Sequence, residues 1–335
     1  MTLGPVPLSV LDFSPVGPGS TPAEALLGST ELAREAERLG YRRYWVAEHH
    51  GIGGIASSSP AVLIAHLASS TSTIRVGSGG VMLPNHAPLV VAEQFGMLEA
   101  LHPDRVDLGI GRAPGTDELT ARALRRSAAP LSDDDFPGHL KELIWFFTGS
   151  FPAEHPYHGI SAVPGLGNRP AIWLLGSSTY SAQCAGLLGL PFSFAYHFAA
   201  PNTEPAIAAY RNRFRAVGEL ERPYVMVAVS VVCAETDERA LTLALPSGLA
   251  FLRVRAGRCG PLPSVEEAQR YPYTPAERET IRQWTASQVV GSPETVKRQL
   301  GELVQRTGAD ELMITTLLYG QDERLQSYRL LAGGD

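Results

Sequence analysis

The order of apolar runs predicts an α/β protein folded as a (β/α)8 TIM barrel, with an insertion between its seventh and eighth strands. Eight short apolar runs alternate with stretches of helical periodicity, and short strand-to-helix connections favour a parallel sheet with right-handed crossovers. Eight such units suit closure into a barrel. No G-x-G-x-x-G follows the first run, where Phe13-Ser14-Pro15-Val16-Gly17 stands, which weighs against a dinucleotide-binding, doubly wound open sheet. Residues 1–335 are read as one domain, since α/β barrels reach this length undivided.

The elements follow in order. Leu8 to Phe13 reads as the first strand, closed by Ser14-Pro15. Thr21 caps a helix with Pro22 in its first turn and Glu24 placed to complete a capping box; Gly40 stops it. Tyr44-Trp45-Val46-Ala47 is the second strand, Pro60 to Ser70 a helix, and Ile74 to Leu83 the third strand. Leu89 to Leu101 is helical, Arg105 to Ile110 the fourth strand, and Glu118 to Arg126 and Phe136 to Phe147 are helical. A Pro-, Gly- and His-rich loop, Phe151 to Asn168, precedes the fifth strand, Ala171 to Leu175, and the helix Tyr180 to Leu188. Pro191 to Phe198 is the sixth strand, Asn202 to Val217 a helix, Tyr224 to Ala234 the seventh strand, and Asp237 to Leu245 a helix. From Ser247 to Gln288 the pattern breaks into Gly, Pro and Tyr clusters with a Pro275-led helix, and this stretch is read as the insertion. Ser292 caps and Pro293 opens the next helix, Glu311 to Leu318 is the eighth strand, and Asp322 to Leu331 is a closing helix.

The bulk numbers remove several classes of function. A net charge of -6 argues against a nucleic-acid binder that relies on a basic surface. No apolar run approaches the ~18 residues of a membrane span, and Met1 to Ser9 lacks the pattern of a secretory signal. Cys184, Cys233 and Cys259 are far apart and outside any C-x-x-C, so neither a disulfide framework nor a thiolate zinc site is expected, and a reducing cytoplasm fits.

In barrels, chemistry gathers at the C-terminal ends of the strands. Here those ends carry Glu48, His49 and His50; Gly79 and Gly80, then Asn85 and His86; Gly111 and Arg112; Ser177 and Ser178; Tyr196 and His197. An apolar strand that ends in Glu-His-His before the Gly51-Ile52-Gly53-Gly54 turn suits proton transfer, because imidazole changes charge near neutral pH. Adjacent residues on a strand cannot all face one way, and neither H-x-H nor H-E-x-x-H is present, so no metal is expected. No G-x-S-x-G marks a serine hydrolase. Gly176-Ser177-Ser178-Thr179-Tyr180-Ser181 joins a strand to a helix; free N–H groups there, with the Ser178 and Ser181 hydroxyls and Arg112 from a neighbouring strand end, suit an anion such as a phosphate. Ser178 as a plain helix cap is the competing reading. Gly77-Ser78-Gly79-Gly80 either relieves crowding in the barrel or lets a flat ligand approach the backbone.

Taken together and in this order, Trp45 to His50, Val76 to Pro84, Glu93-Gln94, Arg105 to Arg112, Gly176 to Ser181 and Val290-Gly291-Ser292-Pro293-Glu294 resemble the bacterial luciferase-like monooxygenase family over nearly the whole chain. The resemblance implies a (β/α)8 barrel that uses reduced FMN, delivered by a separate NAD(P)H-dependent flavin reductase, and molecular oxygen to oxidise a small organic substrate, in a homodimer. By position it implies that His49 is the catalytic histidine handling protons around the oxygenated flavin, and that Gly79 and Gly80 are joined by a non-prolyl cis bond beneath the flavin ring. It also implies that Arg112, Ser177, Ser178 and Ser181 hold the phosphate and that Tyr196 is an aromatic neighbour of the flavin. Residues 247–288 correspond to a variable region expected to act as a lid. Gly111 replaces the reactive cysteine of true luciferases, so light emission is not expected. An F420-dependent dehydrogenase or reductase of the wider superfamily and a non-catalytic flavin-binding protein are the alternatives.

Overall fold

Along each strand of the computed structural model, which describes residues 6–125, 135–318 and 320–333, side chains alternate between two environments. The chain runs β1 (Leu8–Asp12), α1 (Pro22–Arg38), β2 (Arg43–Val46), α2 (Pro60–Ser70), β3 (Arg75–Met82), α3 (Pro88–Leu101), β4 (Val106–Gly111), α4 (Glu118–Arg125) and α5 (Phe136–Thr148). It continues β5 (Ala171–Gly176), α6 (Thr179–Leu187), β6 (Phe192–Ala195), α7 (Tyr196–Ala199), α8 (Thr203–Arg213), β7 (Val225–Cys233) and α9 (Asp237–Arg255). It ends α10 (Val265–Arg270), α11 (Pro275–Thr285), β8 (Val289–Gly291), α12 (Pro293–Thr307), β9 (Glu311–Thr315) and α13 (Gln321–Ala332).

Every strand pairing is parallel, and the ring closes through β6–β7, β7–β9 and β9–β1. This is the expected (β/α)8 barrel. The eighth barrel strand is β9; β8 is an added short strand that pairs with the far end of β7, Val231 opposite Val289. Val10, Tyr44, Val46, Val76, Leu108 and Ile172 face outward into a large shell packed under the helices. Leu11, Trp45, Trp173, Met226, Ala228 and Met313 face inward and fill the middle of the barrel. Trp45, 1% exposed, anchors that inner layer; truncating so large a buried ring to alanine costs about 3–5 kcal/mol.

Two differences from the sequence reading bear on the site. The sixth strand stops at Ala195, and Tyr196 to Ala199 turn into a helix instead of extending the strand to Phe198. The helix after β7 does not break at Leu245 but runs through Pro246 to Arg255. A proline inside a helix forfeits one backbone hydrogen bond, and here tertiary contacts hold the second half: Phe251 stacks on Trp284 of α11 (4.6 Å, 10° between planes) and Arg253 pairs with Glu267 of α10. The 247–288 stretch is therefore a helical cap built on α9, α10 and the expected Pro275-led helix α11. Arg126, read as the end of a helix, lies outside the described residues.

Candidate active site at the C-terminal mouth

The residues that follow β2 are held from three sides. Glu48 is fully buried (0% exposed), and its Oε1 accepts hydrogen bonds from Nε2 of His50 (2.9 Å) and Nε2 of His86 (2.8 Å). Its Oε2 accepts from the backbone N–H of Met82 (3.0 Å). Burial works to raise the Glu48 pKa, but the bonds from His86, His50 and Met82 outweigh it and hold the carboxyl below its usual range. An ionised carboxylate only accepts, so each imidazole carries its proton on Nε2.

His49 faces the other way. Its ring stacks on Phe13 (centroids 5.6 Å apart, 19° between planes) and its Nδ1 lies 3.1 Å from the carbonyl of Gly115. A carbonyl cannot donate, so Nδ1 carries the proton and Nε2 keeps its lone pair. Burial pushes the His49 pKa down, partly offset by the Gly115 carbonyl and the Glu48 charge. The neutral, base-competent form therefore holds at neutral pH.

Gly79 and Gly80 are joined by a cis peptide bond, as expected, and the register with β4 slips between Gly79 and Val81. Crowding accounts for both glycines. A Cβ on Gly79 would lie 2.6 Å from Leu11 Cδ1, and one on Gly80 would lie 2.8 Å from the Gly109 carbonyl oxygen. The pair thus presents bare backbone between Trp45 and Leu175, which also suits a flat ligand.

Arg112 and the start of α6 do come together: the guanidinium lies over the Tyr180 ring, 4.7 Å from its centroid. Ser178 is the N-cap residue, yet its side chain makes no capping hydrogen bond, so capping does not use its hydroxyl. Ser177 lies in the same loop, its carbonyl 3.4 Å from Asn202 Nδ2. Ser181 is buried, packed where a Cβ on Gly176 would approach its own within 2.5 Å.

Tyr196 is a correction. Because the strand ends at Ala195, three residues earlier than expected, its ring turns out into the shell between barrel and helices, where its hydroxyl accepts from Arg306 (3.2 Å). The next residue, His197, takes the inward place. Its Nδ1 lies 3.0 Å from the carbonyl of Ala228, an inner-layer residue of β7, so this imidazole too keeps its Nε2 lone pair. Burial brings its pKa down to about 4, with a smaller contribution from nearby His49. Sequence reasoning placed His197 at a strand end without singling it out; its partner carbonyl is 31 residues away in sequence.

The helical cap leans over this mouth. Leu262 N–H donates to the Val16 carbonyl (3.0 Å), and the Gly260 carbonyl packs on Gly54, where an added Cβ would be 2.4 Å away. The loops after β1 and β2 are thereby roofed by the 247–288 stretch. Among the described residues no group of three His, Cys, Asp or Glu side chains is arranged to hold a metal ion, and no helix is long and apolar enough to cross a membrane.

A protein-family model described as luciferase-like monooxygenase matches residues 6–311. A luciferase-like monooxygenase of Escherichia coli (strain K12) is 43% identical over 330 residues, covering 98% of this chain and 97% of that protein. The N-acetyl-S-alkylcysteine monooxygenase of Bacillus subtilis (strain 168) is 36% identical over 327 residues, covering 97% of each. The crystal structure of apo-MsnO8 superimposes with a TM-score of 0.89 at 41% identity and 98% coverage of both chains.

Proposed function

This chain belongs to the luciferase-like monooxygenase family, and from that premise we propose that it is an FMN-dependent monooxygenase acting with O2 on a small organic substrate. One observation carries the reading: His49 with its bare Nε2, the side-chain-free Gly79–Gly80 shelf and the α6 start beside Arg112 belong to the same end of one barrel. Arg112, Ser177, Ser178 and the first N–H groups of α6 would hold the flavin phosphate, with Ser181 behind them. Gly79 and Gly80 would lie under the ring system. When bound, reduced FMN supplies the electrons that activate dioxygen, and a separate NAD(P)H-dependent reductase would provide it. His49 takes up or returns a proton at Nε2, and the 247–288 cap acts as a lid that excludes water. The cytoplasm, where reduced cofactors are made, suits the three free cysteines. The exposed apolar face of α2 and α3 supports a homodimer.

The test is binding followed by turnover. Apo-protein is titrated with FMN and with F420, then supplied with FMN, a flavin reductase, NADH and a panel of small thioethers, ketones and aldehydes under ¹⁸O₂. FMN is expected to bind in preference to F420, Arg112→Ala to weaken FMN binding at least tenfold, and His49→Ala to keep FMN while losing about 100-fold or more of labelled product. Preference for F420, or full activity of His49→Ala, would overturn the reading.

A further inference from the structure

We propose that Glu48 is the positioning residue of this site: it locks the end of β2 against the end of β3 and so fixes where His49 stands relative to the Gly79–Gly80 shelf. The proposal rests on the reading of His49 as the base. Three donors from two strand ends converge on this one carboxylate: His50 from its own loop, the Met82 amide from the last residue of β3, and His86 from just beyond it. Met82 is two residues past Gly80, so the carboxylate grips the backbone that carries the shelf.

The grip also reaches His49 from its far side. Asn85 Nδ2, 3.5 Å from Glu48 Oε1, donates to the Pro114 carbonyl at 2.8 Å, and its Oδ1 accepts from Arg125 Nε at 3.2 Å. Pro114 precedes Gly115, whose carbonyl fixes His49 Nδ1. Gly115 has φ +66°, and a Cβ there would meet the Glu48 carbonyl oxygen at 2.7 Å. The loop after β4 therefore presses directly on the Glu48 backbone, and His49 is held between that contact and the carboxylate.

A purely structural tie between two strand ends needs no charge. Burying a carboxylate is costly unless donors surround it, and here every partner is a donor. Among the described residues, the ionisable groups that face Glu48 are His49, His50, His86, His197 across the mouth and Arg125 through Asn85. In this described set Glu48 is the single anion, and it favours the protonated form of His49. A glutamine of the same shape would bring an NH₂ group against donors and remove that charge.

The experiment uses apo-protein, so it needs neither flavin nor substrate. ¹⁵N-histidine NMR, with His49 assigned through His49→Gln, reads its tautomer and titration. Wild type is expected to show His49 protonated on Nδ1. In Glu48→Gln the His49 titration is expected to move down by roughly half a pH unit or more and the tautomer to become mixed, while circular dichroism reports a folded barrel. If Glu48→Gln does not fold, His86→Leu, which removes one donor, is expected to mix the tautomer, and His86→Gln, which keeps one, to preserve it. An unchanged His49 tautomer and titration in folded Glu48→Gln, or an effect of neither or both His86 variants, would overturn the proposal. Oxygenase turnover is read separately and is expected to fall about tenfold or more in Glu48→Gln. A shifted His49 with no turnover even in wild type would overturn the function and leave the positioning role standing.

Discussion

Two imidazoles at the barrel mouth have their proton placed by a backbone carbonyl: His49 by Gly115 and His197 by Ala228. Both therefore turn an unprotonated Nε2 to the interior, but burial separates their strengths as bases. His49 is lowered from its ordinary value, whereas His197 is brought down to about 4 from 6.5. Between those two values the unfolded chain binds a proton at His197 that the folded chain refuses. Stability is then fully present above pH 6.5 and declines as pH falls toward 4. Urea denaturation at pH 7 and pH 5 should show wild type losing about 2 kcal/mol more than His197→Gln over that interval; equal losses would refute the buried neutral imidazole. The residue types at this site were legible, because strand ends that break from apolar to Glu-His-His or to Gly-Gly are visible one residue at a time. Tyr196 against His197 was not, since one residue decides which side chain faces inward and a four-residue helical turn starts at that point. Nor were the carbonyls of Gly115 and Ala228, which come from distant parts of the chain and carry no side-chain signal.

Elements with local signals were read closely: Thr21 and Glu24 form the capping box that opens α1, and Ser292 caps α12 with Pro293 behind it. The Pro275-led helix α11 was legible from its proline, and Thr274 and Glu277 form its capping box, whereas the short α10 was missed among the surrounding glycines, prolines and tyrosines. Pro246 likewise marked a break that packing against Trp284 overrides. The outer faces of α2 and α3 are informative in another way. The sequence Pro60–Ser70 has no Asp, Glu, Lys or Arg at all, Val62 is 71% exposed, and Val90, Met97 and Leu101 form one exposed stripe along α3. Adjacent exposed apolar faces of this kind mark a contact surface, and an isologous dimer covers the same patch on both copies. Analytical ultracentrifugation should find wild type dimeric and Met97→Glu/Leu101→Glu monomeric with an unchanged circular dichroism spectrum. A monomeric wild type at tens of micromolar would exclude this interface.

Across the whole barrel, the inward-facing side chains change character from one mouth to the other. At the N-terminal mouth Arg43, 6% exposed, binds Asp107 through Nη1 (2.8 Å) and Glu311 through Nε (3.0 Å). Trp45 Nε1 (2.9 Å) and Arg75 (2.7 Å) also donate to Asp107, and Ser9 (2.5 Å) and Tyr224 (2.8 Å) to Glu311. Five strands, β1 to β4 and β9, are thus pinned by one buried network, with the apolar layer of Trp45, Trp173 and Met226 above it and the histidines above that. A cavity of about 260 Å³ lies against this network, between Arg42, Arg43, Arg75 and Tyr224. Removing Arg43 alone leaves Asp107 with Arg75 as its cation and Glu311 with only the more distant, exposed Arg42 (3.9 Å), so Arg43→Met should cost about 3 kcal/mol in urea denaturation. Replacing the triad together (Arg43→Met, Asp107→Leu, Glu311→Leu) removes the buried charges and should recover part of that loss, even though Arg75 gives up its partner, because Arg75 is partly exposed (26%) and can be solvated. A loss below about 1 kcal/mol for Arg43→Met would show that water from this cavity screens the carboxylates and that the network does not hold the five strands together.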